Sequence, residues 1–218
     1  MNDAMATTTT RAERRWPMAL AVLAAIGLQV GTPHAGRLPG WWIVPVMEFV
    51  LLVILLVVDP GRIDDLSSRV RRITFALITI MTVGTVGSLS LLTYDILHGT
   101  DLSADNLLGR GGAIWLTNVI AFSLWYWELD RGGPAQRGAG SEIPPSFAFP
   151  ENAMPEFAIE GWTPMYPDYL YLSFTNATAF SPTDTLPVMT WAKMAMMVES
   201  SVSLLAAILV IARAINAF

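Results

Sequence analysis

The sequence contains no cysteine, which excludes disulfide bonds and thiolate metal sites. Its two histidines, His34 and His98, are far apart in predicted loops, so we expect no zinc or iron site and no other cofactor. Charged residues make up 14% of the 218 residues, against about 25% in soluble domains. The net charge is only -5 and no basic stripe is present, so we expect no nucleic-acid partner.

Catalytic signatures are missing as well. The chain has no GxSxG, HExxH or phosphate-binding loop and no constellation of paired carboxylates. The predicted spans hold neither a Ser/His pair nor two aspartates, which intramembrane proteolysis would need. We therefore expect that the protein is not an enzyme.

Long apolar blocks are what the sequence does have. Hydrophobic residues make up 53% of the chain, and the mean hydropathy is +0.48. Crossing a bilayer takes about 20 mostly apolar helical residues, and several blocks meet or approach that length. We predict an all-α polytopic membrane protein with about five transmembrane helices and one short re-entrant half-helix before the last span. The predicted spans are residues 16–30, 41–58, 73–97, 113–129 and 187–216.

These blocks divide the chain into four parts. We expect residues 1–15 to be a disordered N-terminus, 16–129 a four-span region, 130–167 a Pro/Gly-rich linker without regular structure, and 168–218 the half-helix with the final span. The first apolar run lacks a clear A-x-A site and more spans follow, so we interpret it as an uncleaved helix. Trp125-Tyr126-Trp127 near the end of the fourth span is typical of an aromatic belt at the membrane interface.

Arginines predict the orientation. Positive charge favours the cytoplasmic side, and it is concentrated in the N-terminus and in the loop 59–72. We expect a multi-pass protein of the plasma (inner) membrane with a cytoplasmic N-terminus and linker and an external C-terminus. We expect the lipid bilayer to be one of its partners.

The stretch Tyr169–Phe180 is too short to span, because 12 helical residues reach only about 18 Å. Since it lies directly before the last span and ends in a polar turn, we predict a re-entrant half-helix. An amphipathic helix on the membrane surface is the alternative.

Part of this region resembles the pore module of two-span potassium channels. Tyr171–Thr178 is similar to their pore helix, Asp184 to the acid after the filter, and Ala195–Arg213 with Glu199 to their inner helix, which Pro187 would begin. The resemblance covers residues 166–216 and implies a pore. Its candidate pore or filter positions are Thr175, Thr178, Ala179, Phe180, Ser181, Pro182, Thr183 and Asp184.

The filter itself departs from the channel pattern T-V-G-Y-G. Coordination of potassium needs a rail of backbone carbonyls, and glycine makes that backbone accessible. Pro182 fixes its own φ and restricts Ser181, and Ser203 replaces the hinge glycine of the inner helix. We therefore expect a degenerate filter without potassium selectivity.

A second resemblance covers more of the chain. Four spans, a Pro/Gly-rich linker, the stretch PDYLYLSFTNATAFSPTDT and a final span resemble a domain-of-unknown-function family of bacterial integral membrane proteins. That resemblance implies the architecture and carries no activity with it.

Two carboxylates lie inside predicted spans, Glu48 and Glu199. An ionisable residue within a span is costly and suggests function. Glu199 with Ser200, Ser203 and Asn118 could line a polar path. The structural alternative is that each glutamate is protonated or hydrogen-bonded and holds helices together.

Three functions are compatible with these features. The first is a pore-loop protein, a degenerate ion channel assembled as a homo-oligomer, with a tetramer favoured. The second is a proton-coupled small-molecule transporter that uses Glu48 and Glu199 as a monomer or dimer. The third is a non-conducting scaffold or accessory subunit whose linker binds a partner.

Overall fold

The computed structural model describes residues 13–32, 39–63, 66–98, 103–154, 156, 162–179 and 184–216. These residues are mostly helical. The helices are α1 (Trp16–Gly31), α2 (Ile43–Val58), α3 (Ser68–Leu97), α4 (Ala104–Leu129), α5 (Pro134–Gly138), α6 (Pro150–Ala153), α7 (Tyr166–Ala179) and α8 (Thr190–Asn216). Two short strands, β1 (Phe147–Ala148) and β2 (Leu186–Pro187), pair antiparallel.

Among the described residues, three stretches are long and apolar enough to cross a membrane: Ser68–Leu97, Ala104–Gly132 and Thr190–Arg213. The helices α1 and α2 are apolar but shorter, at 16 residues each, or about 24 Å. The prediction of an all-α membrane protein is therefore confirmed.

Helix α4 is the centre of the bundle. In its most apolar window 72% of residues are buried, against 33% in α3 and 22% in α8, and it packs against α1, α3, α7 and α8. Tyr126 and Trp127 are almost fully buried, so they do not form the interfacial belt that we predicted. The reason is that other helices surround the end of α4 where a lipid interface was expected.

Two long helices begin earlier than predicted. The Ser67 side chain accepts a hydrogen bond from Val70 N and starts α3, and Ser103 accepts one from Asn106 N and starts α4. Serine hydroxyls at these positions satisfy backbone N–H groups that the first turn leaves free. The first turns of both helices are polar, so apolar runs alone do not mark these helix starts.

Close helix contacts occur at two glycines. A Cβ atom on Gly84 of α3 would meet Val44 Cγ1 of α2 at 2.7 Å, and one on Gly111 of α4 would meet Val210 Cγ2 of α8 at 2.3 Å. Small residues allow such approach between membrane helices. Gly84 thus allows α2 and α3 to lie close together.

The linker contains more regular structure than predicted. It includes α5, α6 and β1, and β1 pairs with β2 so that Phe147 faces Pro187. Pro187 therefore lies in a strand and does not begin the last helix, which starts at Thr190. The turn after α4 uses positive φ angles of 81° at Gly132 and 99° at Gly133, which glycine adopts without steric cost.

The chain just before α1 is packed, whereas we predicted disorder up to residue 15. Glu13 and Arg15 are buried, with exposed fractions of 9% and 2%. Arg15 forms an ion pair with Asp59 after α2, and its backbone N–H donates to the Gly61 carbonyl at 2.9 Å. These contacts fix residues 13–15 against the end of α2.

Candidate functional site between three helices

Helix α7 presents a polar, buried face to α4 and α8. Tyr166, Tyr169, Ser173 and Asn176 are buried and are three or four residues apart, so they share one side of the helix. Tyr171 on the opposite side is exposed. The chain thereby places hydroxyl and amide groups of α7 within the core of the bundle.

Glu199 of α8 lies at the centre of this polar region and is fully buried. The Tyr126 hydroxyl of α4 donates to Glu199 Oε2 at 2.6 Å, and Asn176 Nδ2 of α7 donates to the same oxygen at 2.6 Å. Ser173 Oγ of α7 contacts Oε1. One carboxyl group thus joins three helices.

The Ser173 hydroxyl has two possible acceptors. It contacts Glu199 Oε1 and lies 2.7 Å from the Val119 carbonyl oxygen, yet a hydroxyl carries a single hydrogen. If Glu199 is ionised, Ser173 donates to the carboxylate. If Glu199 is protonated, its O–H donates to Ser173 Oγ, and Ser173 donates to Val119. Rotation of one O–H bond therefore satisfies both protonation states.

Asn118 extends the cluster along α4. Its Nδ2 group donates to the Glu199 carbonyl oxygen at 3.1 Å and to Ser203 Oγ at 3.0 Å, and both Asn118 and Ser203 are buried. Ser200 Oγ lies 3.4 Å from the Asn176 carbonyl oxygen. The structure thus brings together the four polar residues that we associated with a path, Asn118, Glu199, Ser200 and Ser203.

The segment that contains α7 enters and leaves at the same end of α4. At its start, Tyr166 N donates to Glu13 Oε1 at 2.5 Å, and the Tyr166 ring contacts Trp127. Further along, the Phe174 ring meets Trp115 near the middle of α4, with ring centroids 5.6 Å apart. After α7, β2 pairs with β1 in the linker that follows α4. Helix α7 therefore runs from the C-terminal end of α4 to its middle.

A second polar cluster holds this entry point. Asp130 is fully buried and accepts from Ser146 N and from the Tyr169 hydroxyl, each at 2.6 Å. Arg137 Nη1 donates to the carbonyl oxygens of Trp127 and Asp130 at 2.7 and 2.8 Å. These bonds connect the linker, α4 and α7.

Glu13 belongs to this second cluster. Its Oε2 accepts from Trp127 Nε1 at 2.9 Å, and Arg137 Nη2 lies 3.7 Å away. Burial raises the pKa of Glu13 above its ordinary value, while the bonds from Trp127 and Tyr166 N and the charge of Arg137 oppose that rise. Two hydrogen-bond donors and the nearby charge of Arg137, from three parts of the chain, thus hold the carboxyl group.

The predicted pore positions are spread over the end of α7 and the segment after it. Thr175 Oγ1 lies 3.0 Å from the carbonyl oxygens of both Tyr171 and Leu172 in its own helix, which share its single hydrogen. Thr178 Oγ1 donates to Phe174 O. Ala179 is the last residue of α7, and Asp184 is exposed. Phe180, Ser181, Pro182 and Thr183 lie outside the described residues.

Glu48 lies in a separate place. It is fully buried, and Gln29 Nε2 of α1 donates to its Oε2 at 2.8 Å. Glu48 therefore links α1 with α2, whereas Glu199 links α4, α7 and α8.

Three direct partners of Glu199 were absent from the predicted path: Tyr126, Ser173 and Asn176. The sequence carried one usable signal, since the spacing of Tyr166, Tyr169, Ser173 and Asn176 already indicates a polar stripe on α7. No comparable signal marks Tyr126, because its neighbours Trp125 and Trp127 make the stretch typical of an aromatic belt.

Within the part of the chain that the structure describes, no group of three or more His, Cys, Asp or Glu side chains could hold a metal ion. The fold and the Glu199 cluster define a helical membrane protein with an ionisable group in its core. No family model matches this chain, and neither a curated protein nor a solved structure matches it.

Proposed function

We propose that the protein is a five-span proton-coupled transport protein of the bacterial inner membrane, in which Glu199 binds and releases a proton. The single observation that carries this proposal is the Ser173 hydroxyl between Glu199 Oε1 and Val119 O. Uncompensated buried charge is costly in a membrane. A residue that cycles between charged and neutral forms needs surroundings that satisfy both forms, and Ser173 meets that requirement.

The proposed spans are α1, α2, α3, α4 and α8. Outward-facing residues of α2, including Val46, Phe49, Val53 and Val57, are exposed and apolar, which suits contact with lipid tails. The lengths of α1 and α2, about 24 Å each, fit a slightly thinned bilayer or polar flanks at the ends.

Arginines support a cytoplasmic N-terminus. Five arginines lie at the end of the bundle that carries the linker: Arg14, Arg15, Arg71, Arg131 and Arg137. Their contacts with residues 13, 59, 62, 128 and 130 place them there. Basic residues favour the cytoplasmic side. The linker and the entry point of α7 would therefore be cytoplasmic.

Helix α7 is proposed as a re-entrant half-helix. Its start is bonded to Glu13, and the strand after it is bonded to β1, both at the linker end. Its polar face lies inside protein, as membrane-embedded helix ends and irregular backbone require. Glu199 could then exchange protons with the cytoplasm along α7.

The test is proton flux in proteoliposomes that contain a pH-sensitive dye, under an imposed potassium diffusion potential. We expect the wild type to exceed protein-free vesicles and E199Q to fall to their level. E48Q is the matched control, since Glu48 is an equally buried glutamate outside the cluster, and it should retain the flux. Equal flux in E199Q and the wild type would overturn the proposal.

A pore-loop homo-oligomer is the second candidate. This candidate is favoured because α7 ends near the middle of α4. Tyr171, Phe174 and Thr178 are exposed on the outer face of α7, where an oligomer axis could lie. Native mass spectrometry in nanodiscs distinguishes the two. A single fourfold species supports a shared pore, and a monomer rules it out.

A further inference from the structure

A cavity of about 560 Å³ lies between the start of α2, the middle of α3 and α4, and the end of α1 reaches it. This volume is within the usual range for small-molecule sites, about 300–1,000 Å³. Most of its wall is apolar, with Trp41, Val44, Met47, Ile80, Val83 and Ile114 among the lining residues. None of the residues that hold Glu199 lines it.

The cavity reaches the outer surface of the helices. Met47 and Val83 line it and have exposed fractions of 45% and 66%. In a bilayer these residues face lipid, so a molecule dissolved in the membrane could enter between α2 and α3. Gly87 also lines the cavity, and a Cβ atom added there would meet nothing within 4 Å. The site thus has room next to α3.

One polar group in the wall is unsatisfied. Thr117 of α4 is 3% exposed, and its Oγ1 has no hydrogen-bond partner among the residues that the structure describes. By contrast, the hydroxyls of Thr74, Thr82, Thr85 and Thr93 in α3 each donate to the carbonyl oxygen four residues earlier. A buried hydroxyl without a partner costs free energy, the more so in a membrane. A ligand that accepts from Thr117 would remove that cost.

The charge of the wall favours a neutral acceptor. Arg110 lines the cavity on the same face of α4 as Thr117, seven residues away, or about 10 Å. Its Nη1 atom donates to Asp95 Oδ2 at 2.7 Å, so its charge is balanced. Arginine can only donate, and Thr117 has a hydrogen to donate. These two polar groups on α4 therefore suit a carbonyl oxygen on an uncharged molecule.

We propose that this cavity binds a small lipophilic carbonyl compound dissolved in the bilayer, with its carbonyl oxygen at Thr117 and its apolar body against α2 and α3. This site does not depend on Glu199, and its test does not involve proton flux.

The test uses a diazirine-bearing methyl ester of palmitic acid as a photoactivatable probe. The full-length protein is reconstituted in vesicles of ether-linked phosphatidylcholine, so that the lipids add no carbonyl groups. A diazirine-bearing hexadecane is the matched probe without a carbonyl. Labelled peptides of α3 and α4 are quantified by mass spectrometry.

We expect the ester to label the cavity at least several-fold more than the alkane does. T117V, which keeps the shape and removes the hydroxyl, should reduce the preference for the ester to near unity. G87L should reduce labelling by both probes, because its side chain would fill the cavity. T74V is the control, since Thr74 is as buried as Thr117 and its hydroxyl bonds to the Val70 carbonyl oxygen of its own helix. Thr74 does not line the cavity, and T74V should behave as the wild type.

Equal labelling by ester and alkane in the wild type would overturn the proposal, as would an unchanged preference for the ester in T117V. Unchanged labelling in G87L would overturn the placement of the ligand in this cavity. Competition by ester-linked phosphatidylcholine as strong as that by unlabelled methyl palmitate would also overturn it, because a bilayer lipid would then be the occupant. Labelling of a variant is compared with that of the wild type only if the two proteins have the same thermal stability in detergent. If G87L does not fold, the labelling of T117V alone tests the proposal.

Discussion

Replacement of Gly111 by alanine tests how closely α8 is held against α4. The new Cβ atom would lie 2.3 Å from Val210 Cγ2 and 3.7 Å from Val210 Cβ. Real Cβ contacts do not approach 3 Å, and valine has little freedom to move because one χ1 rotamer dominates in helices. The two helices must therefore separate or the valine must adopt a strained rotamer.

Gly112 provides the matched control on the same helix. A Cβ atom there meets nothing within 4 Å. Alanine gains about 1 kcal/mol over glycine in a helix interior at either position, so the difference between the two variants isolates the contact with Val210. Overpacking costs about 1–3 kcal/mol. We expect G111A to be less stable than G112A by about that amount.

The assay is reversible unfolding in mixed micelles with increasing denaturing detergent, followed by tryptophan fluorescence. The double variant G111A/V210A should recover most of the loss, since it removes the atom that is contacted. Equal stability of G111A and G112A would refute the packing of α8 on α4 described above. A loss in G111A that V210A does not restore would refute the assignment to this contact.

Three further predictions follow from the same contacts. G84A should lower the unfolding free energy by about 1–2 kcal/mol relative to G87A, because only the methyl group added at Gly84 meets α2. The same micelle assay measures both unfolding free energies, and equal values would contradict this prediction. N118L should lower the unfolding free energy by about 1–2 kcal/mol, since each lost hydrogen bond contributes about 1 kcal/mol net. S203A should lower it less, because Asn118 keeps its bond to the Glu199 carbonyl oxygen of α8. A larger loss of stability in S203A than in N118L would argue against this network. The pKa of Glu13 is raised in the folded protein, so the folded state binds the Glu13 proton more tightly than the unfolded state does. The stability of the wild type relative to E13Q should therefore fall as the pH rises from about 4.5 through the raised pKa. A relative stability that rises over this pH range would contradict the direction of that shift.

The long helices could be predicted from the sequence because their apolar runs are bounded by glycine, proline or charge. The predicted span 41–58 and α2 both end at Val58, directly before Asp59-Pro60. The starts of α3 and α4 could not be found in this way, since their first turns are polar and are held by Ser67 and Ser103. The strand pair of Phe147 with Pro187 joins residues far apart in the chain, and no local pattern marks it.

The candidate site was predictable in part. Glu199 stood out as a carboxylate within an apolar helix, and Asn118 and Ser203 were associated with it from their positions. The bond from Tyr126 to Glu199 depends on how α4 and α8 are rotated about their axes. The position of Ser173 depends on how far α7 extends from the C-terminal end of α4 toward its middle. Both are properties of tertiary packing, which periodicity within one helix does not determine.

The most direct test of the proposed role of Glu199 is a pH-difference infrared spectrum of the protein in lipid, compared with that of E199Q. Reversible protonation of Glu199 predicts a carboxyl C=O band that appears in mildly acidic buffer, disappears in alkaline buffer, is absent in E199Q and persists in E48Q. It also predicts that S173A shifts this band, because Ser173 changes its acceptor when Glu199 is protonated. A spectrum of E199Q identical to that of the wild type over the same pH range would contradict reversible protonation of Glu199.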